Sequence, residues 1–550
     1  MQLRLILTAF ASLAIADYTP VRVPCPSTNL TRPAIGLNPD ESAYIEQRHT
    51  KTRESLKTFL KTLESSSFDV DAFLNERSPK IAVAIAGGGV RASLFGAGVL
   101  AGLDGRVSQN GTGGLLQATD YISGLSGGSW LVGLLCLSDW IAADQLVGMS
   151  EKMKFPGMLD TFGMMLKILT DTMAKKKAGY QTSVVDQWGR LFHFVTAEAG
   201  LNYTDPTWSG IRNLSSFLDF SMPFPIITST SLFPGTSFDV THIDYINPMV
   251  EMTPFEFGSW DRNFRYFADT VFLGTEMEDA KPLNQCVRNY DNHGLFLGSS
   301  GGIFNADVIG GFEMKGLHAI FLSGVLEYLD LVNEGEFRVG LIQNPFYKMA
   351  HLVSNQTISR FMYLCDGGFE KQQNIPLLPF LQPEREIDLL FATDPSTDTM
   401  DGHGWPNGAS LRHTKEKSDL EFGKGVYPEI PEEDEYLSRN LSMQPAFFGC
   451  DIASLKQYNN TQRYAPVIVN IPMGNLTYAS NFSTGKFFYT HEETQGTYLN
   501  AYNMATRSNL TEDENWNVCL GCVSLLREFQ RRSSEIPDQC QTCFNRYCFN

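Results

Sequence analysis

The sequence Gly-Leu-Ser-Gly-Gly-Ser at residues 124–129 indicates the fold of this chain more clearly than any other stretch. The apolar residues Tyr121 and Ile122 precede it, and the apolar run 130–136 follows it. This order predicts a strand, a sharp turn and a helix, with Ser126 on the turn. Glycine tolerates tight backbone geometry, so the turn can lift the Ser126 hydroxyl to the helix N-terminus, where developing negative charge is stabilised. Ser126 is therefore a candidate nucleophile, with a glycine-rich turn or a phosphate-binding loop as the alternatives.

A second glycine-rich turn is predicted upstream, after the apolar residues 81–86, which are typical of a buried strand. Three consecutive glycines, Gly87, Gly88 and Gly89, leave several backbone N–H groups free to converge on an anion. An oxyanion hole requires such an arrangement, and Gly88 and Gly89 are its candidate donors. A dinucleotide-binding loop is the alternative, because Gly87, Gly89 and Ala92 also match its fingerprint. The serine turn in the next strand–turn–helix unit favours the oxyanion hole.

A carboxylate, Asp366, follows a third strand-like stretch at residues 361–365, and two glycines come directly after it. An acidic side chain at the carboxyl end of a strand is well placed for an active-site loop. A turn aspartate is an equally good interpretation of this motif alone, because Asp-Gly is a common turn signal. Further strands are predicted at residues 387–392 and 466–471.

Together these motifs resemble the fungal phospholipase B/lysophospholipase family, whose catalytic domain is similar to that of cytosolic phospholipase A2. The matching stretches span nearly the whole mature chain and are residues 87–92, 124–130, 366–368, 374–377, 254–261 and 405–408, with the Cys-rich C-terminus. The sequence departs from the family pattern at residues 298–305, which are less Ser-rich, and at Cys365. Both departures concern substrate preference more than reaction type.

The resemblance implies a serine acyl-ester hydrolase that releases fatty acids from lysophospholipids, with diacyl phospholipids as further candidate substrates. Ser126 would attack the ester carbonyl and form an acyl-enzyme, and Asp366 would accept the serine proton and pass it to the leaving alcohol. The N–H groups of Gly88 and Gly89 would hold the oxyanion. The expected catalysis is a Ser–Asp dyad that needs neither a histidine, a metal nor another cofactor.

Arg91 is the candidate binding residue for the substrate phosphate, because a planar guanidinium can donate two hydrogen bonds to it. It lies two positions after the glycines, and no other basic residue is present in that loop. The alternative is a surface arginine on the first turn of the following helix.

The expected architecture is α/β, with a central, mostly parallel sheet flanked by helices, like the catalytic domain of cytosolic phospholipase A2. The predicted segments are a signal peptide at 1–16, a catalytic domain at 17–514 with an insertion at about 145–280, and a Cys-rich tail at 515–550. A helix is predicted at residues 42–63. The Met-rich, Lys-rich stretch 149–177 is predicted to be a lid, a lipid-contacting helix or an ordinary amphipathic helix packed on the core.

The N-terminus predicts secretion. Arg4 forms a short basic region, residues 5–11 are apolar, and residues 14–16 read Ala-Ile-Ala, a signal-peptidase motif. A glycosylated asparagine must lie at the surface, and secretion to the extracellular space or the cell wall is further supported by glycosylation sequons. These are Asn29, Asn110, Asn202, Asn213, Asn355, Asn440, Asn459, Asn475, Asn481 and Asn509. We expect no GPI-anchor signal, because the chain ends without an apolar tail, and no membrane-spanning segment.

Ten cysteines are present, and five of them lie in the tail at Cys519, Cys522, Cys540, Cys543 and Cys548. The spacing of the first four also suits a four-cysteine zinc site. Behind a signal peptide, disulfides are the favoured interpretation, although the pairing cannot be deduced from spacing.

The net charge of −18 argues against nucleic acid as a partner and against simple electrostatic docking on anionic membranes. The resemblance implies a phospholipid or lysophospholipid substrate at a micelle or membrane surface. Two other functions stay open. An α/β-hydrolase triad would need a histidine after the acid, and the candidates are His403, His413 and His491. A surface glycoprotein could bind lipid without turnover. The sequence leaves the oligomeric state open.

Overall fold

The computed structural model describes residues 18–61, 69–109, 111–150, 158–198, 207–235, 245–302, 338–349, 354–368, 374–398, 404–459, 461–487 and 489–549. The predicted signal peptide at 1–16, the sequons Asn110 and Asn202, and His403 lie outside the described residues. The domain boundaries at 17–514 and 515–550 and the insertion at about 145–280 stay predictions.

Runs of helices and runs of strands follow one another along the described chain. The strands are β1 Val21–Val23, β2 Thr31–Pro33, β3 Lys80–Ile85, β4 Tyr121–Gly124, β5 Phe224–Leu232, β6 Met249–Met252, β7 Glu256–Ser259, β8 Tyr266–Asp269, β9 Met277–Glu278, β10 Lys281–Pro282, β11 Cys286–Arg288, β12 Gly340–Gln343, β13 Phe361–Cys365, β14 Ile387–Asp394, β15 Ala446–Phe448, β16 Val467–Pro472 and β17 Cys548–Phe549. The helices are α1 Pro39–Lys61, α2 Val70–Glu76, α3 Gly89–Leu103, α4 Gly127–Leu137, α5 Ala143–Ser150, α6 Met158–Lys177, α7 Val184–Glu198, α8 Ser215–Leu218, α9 His293–Ser300, α10 Ala409–Glu421, α11 Glu433–Ser438, α12 His491–Thr506, α13 Trp516–Arg532 and α14 Asp538–Tyr547. The strands and the helix predicted from the sequence at 361–365, 387–392, 466–471 and 42–63 are confirmed within a few residues at each end.

One large sheet organises the molecule. Its strands lie in the order β17-β15-β16-β14-β3-β4-β5-β6-β7-β8-β2, and β12 and β13 join it beside β5. The middle strands β16, β14, β3, β4 and β5 are parallel, whereas β6, β7, β8 and β2 continue the sheet in antiparallel pairs. The residues of β3, β4 and β14 are almost all buried, as expected for parallel strands covered on both faces. The predicted α/β architecture, a mostly parallel sheet flanked by helices, is confirmed.

Two strands meet end to end along one edge of β5. On β5, Ile227 pairs with Gly124 of β4 on one side and with β6 on the other. Farther along, Thr230 pairs with Cys365 of β13, again opposite β6. β4 and β13 therefore share the edge of β5 that faces away from β6. β4 runs parallel to β5 and β13 runs antiparallel, so their carboxyl ends approach each other. The two pairing points are three positions apart on β5, roughly 10 Å of strand.

Helix α6 lies within the Met-rich stretch and has two distinct sides. Met164 and Ile168 are buried against the core, whereas Leu166 and Met173 are about half exposed. Lys175 is buried and pairs with Asp186 of α7. The described helix thus packs on the core and still presents apolar side chains outward, which agrees with an amphipathic helix. In the described part of the chain, no helix combines the length and the apolar character that crossing a bilayer requires.

Disulfides fasten the C-terminal tail. Two of them, Cys519–Cys543 and Cys522–Cys540, join α13 to α14, and a third, Cys450–Cys548, ties the end of the chain to the sheet. A fourth bond links Cys25 to Cys286, far from the tail. Cys136 and Cys365 are buried free thiols. The prediction that the five tail cysteines form disulfides is confirmed.

We expect the double substitution Cys522→Ser, Cys540→Ser to lower the free energy of unfolding by about 3 kcal/mol, because this bond closes a short loop in the unfolded chain. The two residues are 18 positions apart in sequence. Denaturant unfolding of the wild type and the variant, both non-reduced, measures the difference. Cys136→Ser is the matched control, since it removes a buried thiol that forms no bond. An unchanged unfolding midpoint in the double variant would contradict the expectation.

Candidate active site

Ser126 sits on a strained turn between β4 and α4. Its backbone angles are φ 52° and ψ −127°, which a residue with a side chain rarely adopts. The turn directs the chain straight from the end of the strand into the first residue of the helix, so Ser126 lies at the helix N-terminus. Its side chain is largely buried, with 6% exposed. The strand, turn and helix predicted around Ser126 are confirmed, and their geometry is that of a nucleophile elbow.

The turn at 87–89 packs directly against the serine turn. A Cβ atom on Gly127 would lie 2.0 Å from the carbonyl oxygen of Gly89, and one on Gly87 would lie 3.0 Å from the Cβ of Ser126. Gly88 and Gly89 have φ values of 128° and 66°, which favour glycine. A side chain at Gly87 or Gly127 would therefore force the two turns apart, whereas one at Gly89 would meet the carbonyl oxygen of Thr484.

The backbone N–H groups of the glycine turn differ in their hydrogen bonds. The Gly87 N–H donates to the carbonyl oxygen of Asn374 at 2.8 Å. Among the described residues, the N–H groups of Gly88 and Gly89 have no hydrogen-bond acceptor. Both start α3, so the helix dipole adds positive potential at the same point. These two N–H groups lie on a turn that packs against the serine turn, so they are candidate donors to an anion.

Asp366 follows β13 and lies next to Ser126. Its carboxylate is buried, and burial raises its pKa to about 6, while hydrogen bonds from the Ser126 side chain and from the Gly368 N–H lower it. The Gly368 N–H donates to Oδ1 of Asp366 at 2.8 Å. The sequence places the two side chains far apart, and the structure brings them together where β4 and β13 meet. A buried carboxylate with this pKa is a stronger base than an exposed aspartate.

Arg91 is buried, with 1% exposed, so it is not the surface residue of the alternative interpretation. Its guanidinium lies over the glycine turn, since a Cβ on Gly88 would be 2.7 Å from one of its terminal nitrogens. It donates to the carbonyl oxygen of Phe482 and, at 3.2 Å, to the hydroxyl of Thr484. The Nε group is buried without a hydrogen-bond partner in the described residues. Burial lowers the pKa of Arg91 to about 10, which leaves it charged at neutral pH.

Two of the three histidines considered for a triad, His413 and His491, lie within the described residues. His413 lies on α10 near the ring of Tyr245, and His491 is the first residue of α12. Within the described residues, the groups that shift the pKa of Asp366 include Ser126 and Gly368 and no imidazole.

Asn374 belongs to the site, although sequence analysis assigned it no role. Its carbonyl oxygen accepts the Gly87 N–H, and its side chain donates to Ser396 at 3.0 Å. Its side-chain oxygen would lie 2.8 Å from a Cβ on Gly87 and 3.3 Å from one on Gly368. Asn374 therefore spans the glycine turn and the loop that carries Asp366. Its position within the motif 374–377 was the one signal for it in the sequence.

Most of the described sequons lie on the surface. The exposed asparagines are Asn29, Asn213, Asn355, Asn440, Asn459, Asn475 and Asn509, and Asn481 is half-buried. These exposures are compatible with attached glycans, and glycosylation stays a prediction.

Comparisons with known proteins identify a family and a fold to which this chain is similar. A family model described as the lysophospholipase catalytic domain matches residues 81–550. Lysophospholipase 3 of Candida albicans is 36% identical over 567 residues, which cover 97% of this chain and 74% of that protein. Human GIVD cytosolic phospholipase A2 has a similar fold, with a TM-score of 0.68 at 15% identity over 93% of this chain and 72% of that chain. The same human enzyme in complex with methyl gamma-linolenyl fluorophosphonate and terbium chloride gives a TM-score of 0.59 at 17% identity, over 92% of this chain and 66% of that chain.

Proposed function

The chain belongs to the lysophospholipase catalytic-domain family and is a hydrolase of the lysophospholipase and phospholipase B class, and on this basis we propose that Ser126 and Asp366 form its catalytic dyad. The observation that carries the proposal is the buried Asp366 carboxylate, hydrogen-bonded to the side chain of a serine on a strained elbow. The proposed reaction is hydrolysis of the acyl ester of lysophospholipids, with diacyl phospholipids as further substrates.

In the first half of the reaction, Asp366 accepts the proton of Ser126 as the Oγ atom bonds to the ester carbonyl carbon. The tetrahedral intermediate collapses, the bond to the glycerol oxygen breaks, and Asp366 returns the proton to that oxygen. The acyl group stays on Ser126. In the second half, a water molecule gives its proton to Asp366 and attacks the acyl carbon. The bond from that carbon to the Ser126 Oγ atom then breaks, Asp366 passes the proton to Oγ, and the fatty acid is released.

The negative charge of each intermediate would lie on the former carbonyl oxygen. We assign its stabilisation to the N–H groups of Gly88 and Gly89, with the dipole of α4 as a further contribution. The support is their lack of another acceptor in the described residues and the packing of their turn against the serine. A carboxylate is a weaker base than an imidazole, so a dyad depends strongly on such donors.

A lipid fluorophosphonate tests the proposal directly, and the human structural relative is known in complex with one. We expect one label per chain, located on Ser126 by peptide mass spectrometry, and loss of hydrolysis in proportion to labelling. Product analysis with one lyso and one diacyl phospholipid then identifies the bond that is cleaved. Labelling at a different serine, or full activity after complete labelling, would exclude the proposed dyad.

We assign Arg91 to the phosphate of the substrate. Its charge, burial and position over the glycine turn support this role. The Phe482 carbonyl and the Thr484 hydroxyl hold its terminal nitrogens, so a phosphate would compete with this segment for the donors.

We expect Arg91→Lys to lower kcat/KM for a lysophospholipid at least about tenfold more than for a p-nitrophenyl ester that lacks a phosphate. Lysine keeps the charge but loses the planar fork that can bind two phosphate oxygens. The measurement is kcat/KM for both substrates. Arg527→Lys is the matched control, because Arg527 is also buried and donates to the carbonyl oxygens of Gly449 and Ala465. Equal losses on both substrates in Arg91→Lys would identify a structural arginine.

We also propose that the protein acts outside the cell. A signal peptide at 1–16, the surface sequons and the disulfides support secretion, to the extracellular space or the cell wall. The substrate would then be met at a micelle or membrane surface. Analysis of the culture medium for a glycosylated chain that begins at Asp17 tests this assignment.

A further inference from the structure

The backbone N–H of Ser126 is held by a side chain from another part of the fold. It donates to the hydroxyl of Ser300, the last residue of α9, at 3.0 Å. The same hydroxyl donates to the carbonyl oxygen of Thr228 on β5 at 2.6 Å. Ser300 is fully buried, so no solvent competes for either bond. One hydroxyl thus connects the strained serine turn to β5.

The loop that carries Asp366 is tied to the same region of β5. The hydroxyl of Ser229 donates to the carbonyl oxygen of Cys365 at 2.7 Å. Thr228 and Ser229 lie between the two points at which β4 and β13 pair with β5. The pair of bonds through Ser300 and Ser229 therefore spans the gap where the two strands meet.

This arrangement matters more in a dyad than in a triad. In a triad the histidine is oriented by its own acid and bridges to the serine. In the proposed dyad no third side chain bridges the two groups, so the distance from the Ser126 hydroxyl to Asp366 depends directly on the backbone that carries them. The backbone at Ser126 is strained, so a contact must hold it in place.

We propose that Ser300 is a positioning residue that holds Ser126 in its catalytic conformation through the Ser126 N–H. The inference rests on the dyad proposed above. Ser300 acts through the backbone of the nucleophile, because its hydroxyl accepts from the Ser126 N–H and donates to the carbonyl oxygen of Thr228. Ser229 has the corresponding role for the loop of Asp366.

Ser300→Ala removes the hydroxyl and leaves the Ser126 N–H buried without its acceptor. The turn can then relax toward a less strained backbone, which moves the Ser126 hydroxyl away from Asp366. Because substrate contacts stay in place, the loss concerns the chemical step. We expect kcat to fall about 10- to 100-fold while KM changes less than about threefold.

Ser299 provides a matched control. It is adjacent to Ser300 and is equally buried, and its hydroxyl has no hydrogen-bond partner in the described residues. Ser299→Ala therefore removes the same atom from the same helix end without disturbing Ser126. A second variant, Ser300→Thr, keeps a hydroxyl at position 300 and is expected to retain more activity than Ser300→Ala.

The test measures kcat, KM and the rate of labelling of Ser126 by a lipid fluorophosphonate in the full-length protein. We expect Ser300→Ala to slow labelling by the same factor as kcat, and Ser299→Ala to match the wild type in both. Equal losses in the two alanine variants, or a Ser300→Ala effect confined to KM or to thermal stability, would overturn the inference.

The same measurements distinguish an error in this inference from an error in the proposed dyad. If the wild type is labelled at Ser126 and is active, but Ser300→Ala has the same kcat and the same labelling rate, only the positioning role is wrong. If the wild type is not labelled at Ser126, the dyad is wrong and the role of Ser300 falls with it.

Discussion

Ser126→Ala is expected to abolish acyl-ester hydrolysis, with a loss of at least about four orders of magnitude in kcat. The substitution removes the atom that would bond to the acyl group, and removal of a serine nucleophile from a hydrolase has effects on this scale. The measurement is fatty-acid release from a lysophospholipid by purified wild type and variant. Fluorophosphonate labelling of the variant should also disappear.

The fold should survive this change. Ser126 is the residue before α4, and its side chain makes no cap bond to the helix. Removal of the hydroxyl therefore costs little packing, and the thermal unfolding of the variant should match that of the wild type. Ser524→Ala, in the buried face of α13, is a control for loss of a buried serine hydroxyl away from the site. Residual hydrolysis near the wild-type rate would exclude Ser126 as the nucleophile.

Asp366→Asn is expected to lower kcat at least about a hundredfold, in line with the contribution of a general acid and base. Asparagine keeps the shape of the side chain but cannot accept the serine proton. The matched controls are His413→Gln, His491→Gln and His403→Gln, each of which should stay within a few-fold of the wild type. A histidine variant as inactive as Asp366→Asn would show that the enzyme uses a triad.

The pH dependence gives a second measurement of the same prediction. Burial raises the pKa of Asp366 to about 6 from an ordinary value of 3.8. The base is the ionised form, so kcat/KM of the wild type should fall as the pH drops through about 6. The residual kcat/KM of Asp366→Asn should not show this decrease at low pH.

Ionisation of Asp366 has opposite effects on the two properties: it raises the activity and lowers the stability of the folded protein. The folded protein holds the Asp366 proton up to about pH 6, whereas the unfolded chain releases it near pH 4. Stability is therefore lost as the pH rises between these values, by up to about 3 kcal/mol for this group. Asp366→Asn removes this loss, and we expect it to be at least as stable as the wild type at pH 7. Inactivity together with a lower unfolding temperature at pH 7 would indicate damage to the fold.

The local parts of the site were predictable from the sequence. Strand, turn and helix follow from patterns within about ten residues, and the elbow at Ser126 and the glycine turn at 87–89 are such patterns. The same holds for Asp366 at the end of its strand. Cysteine content together with the predicted signal peptide also indicated disulfides in the tail.

Only the tertiary structure decided which distant groups meet. Ser126 and Asp366 come together because β4 and β13 pair with the same edge of β5, and a register between distant strands leaves no trace in local spacing. The pairing of the cysteines and the burial of Arg91 under the segment at Phe482 depend on such contacts as well. The hydrogen bond of the Ser126 N–H also depends on such a contact, because its acceptor, Ser300, lies at the end of α9. The sequence by itself determined the chemical groups of the site, and packing around β5 determined the distances between them. The physical reason is that periodicity and turn chemistry act between near neighbours in the chain, whereas side-chain contacts across a sheet join residues that are far apart in sequence.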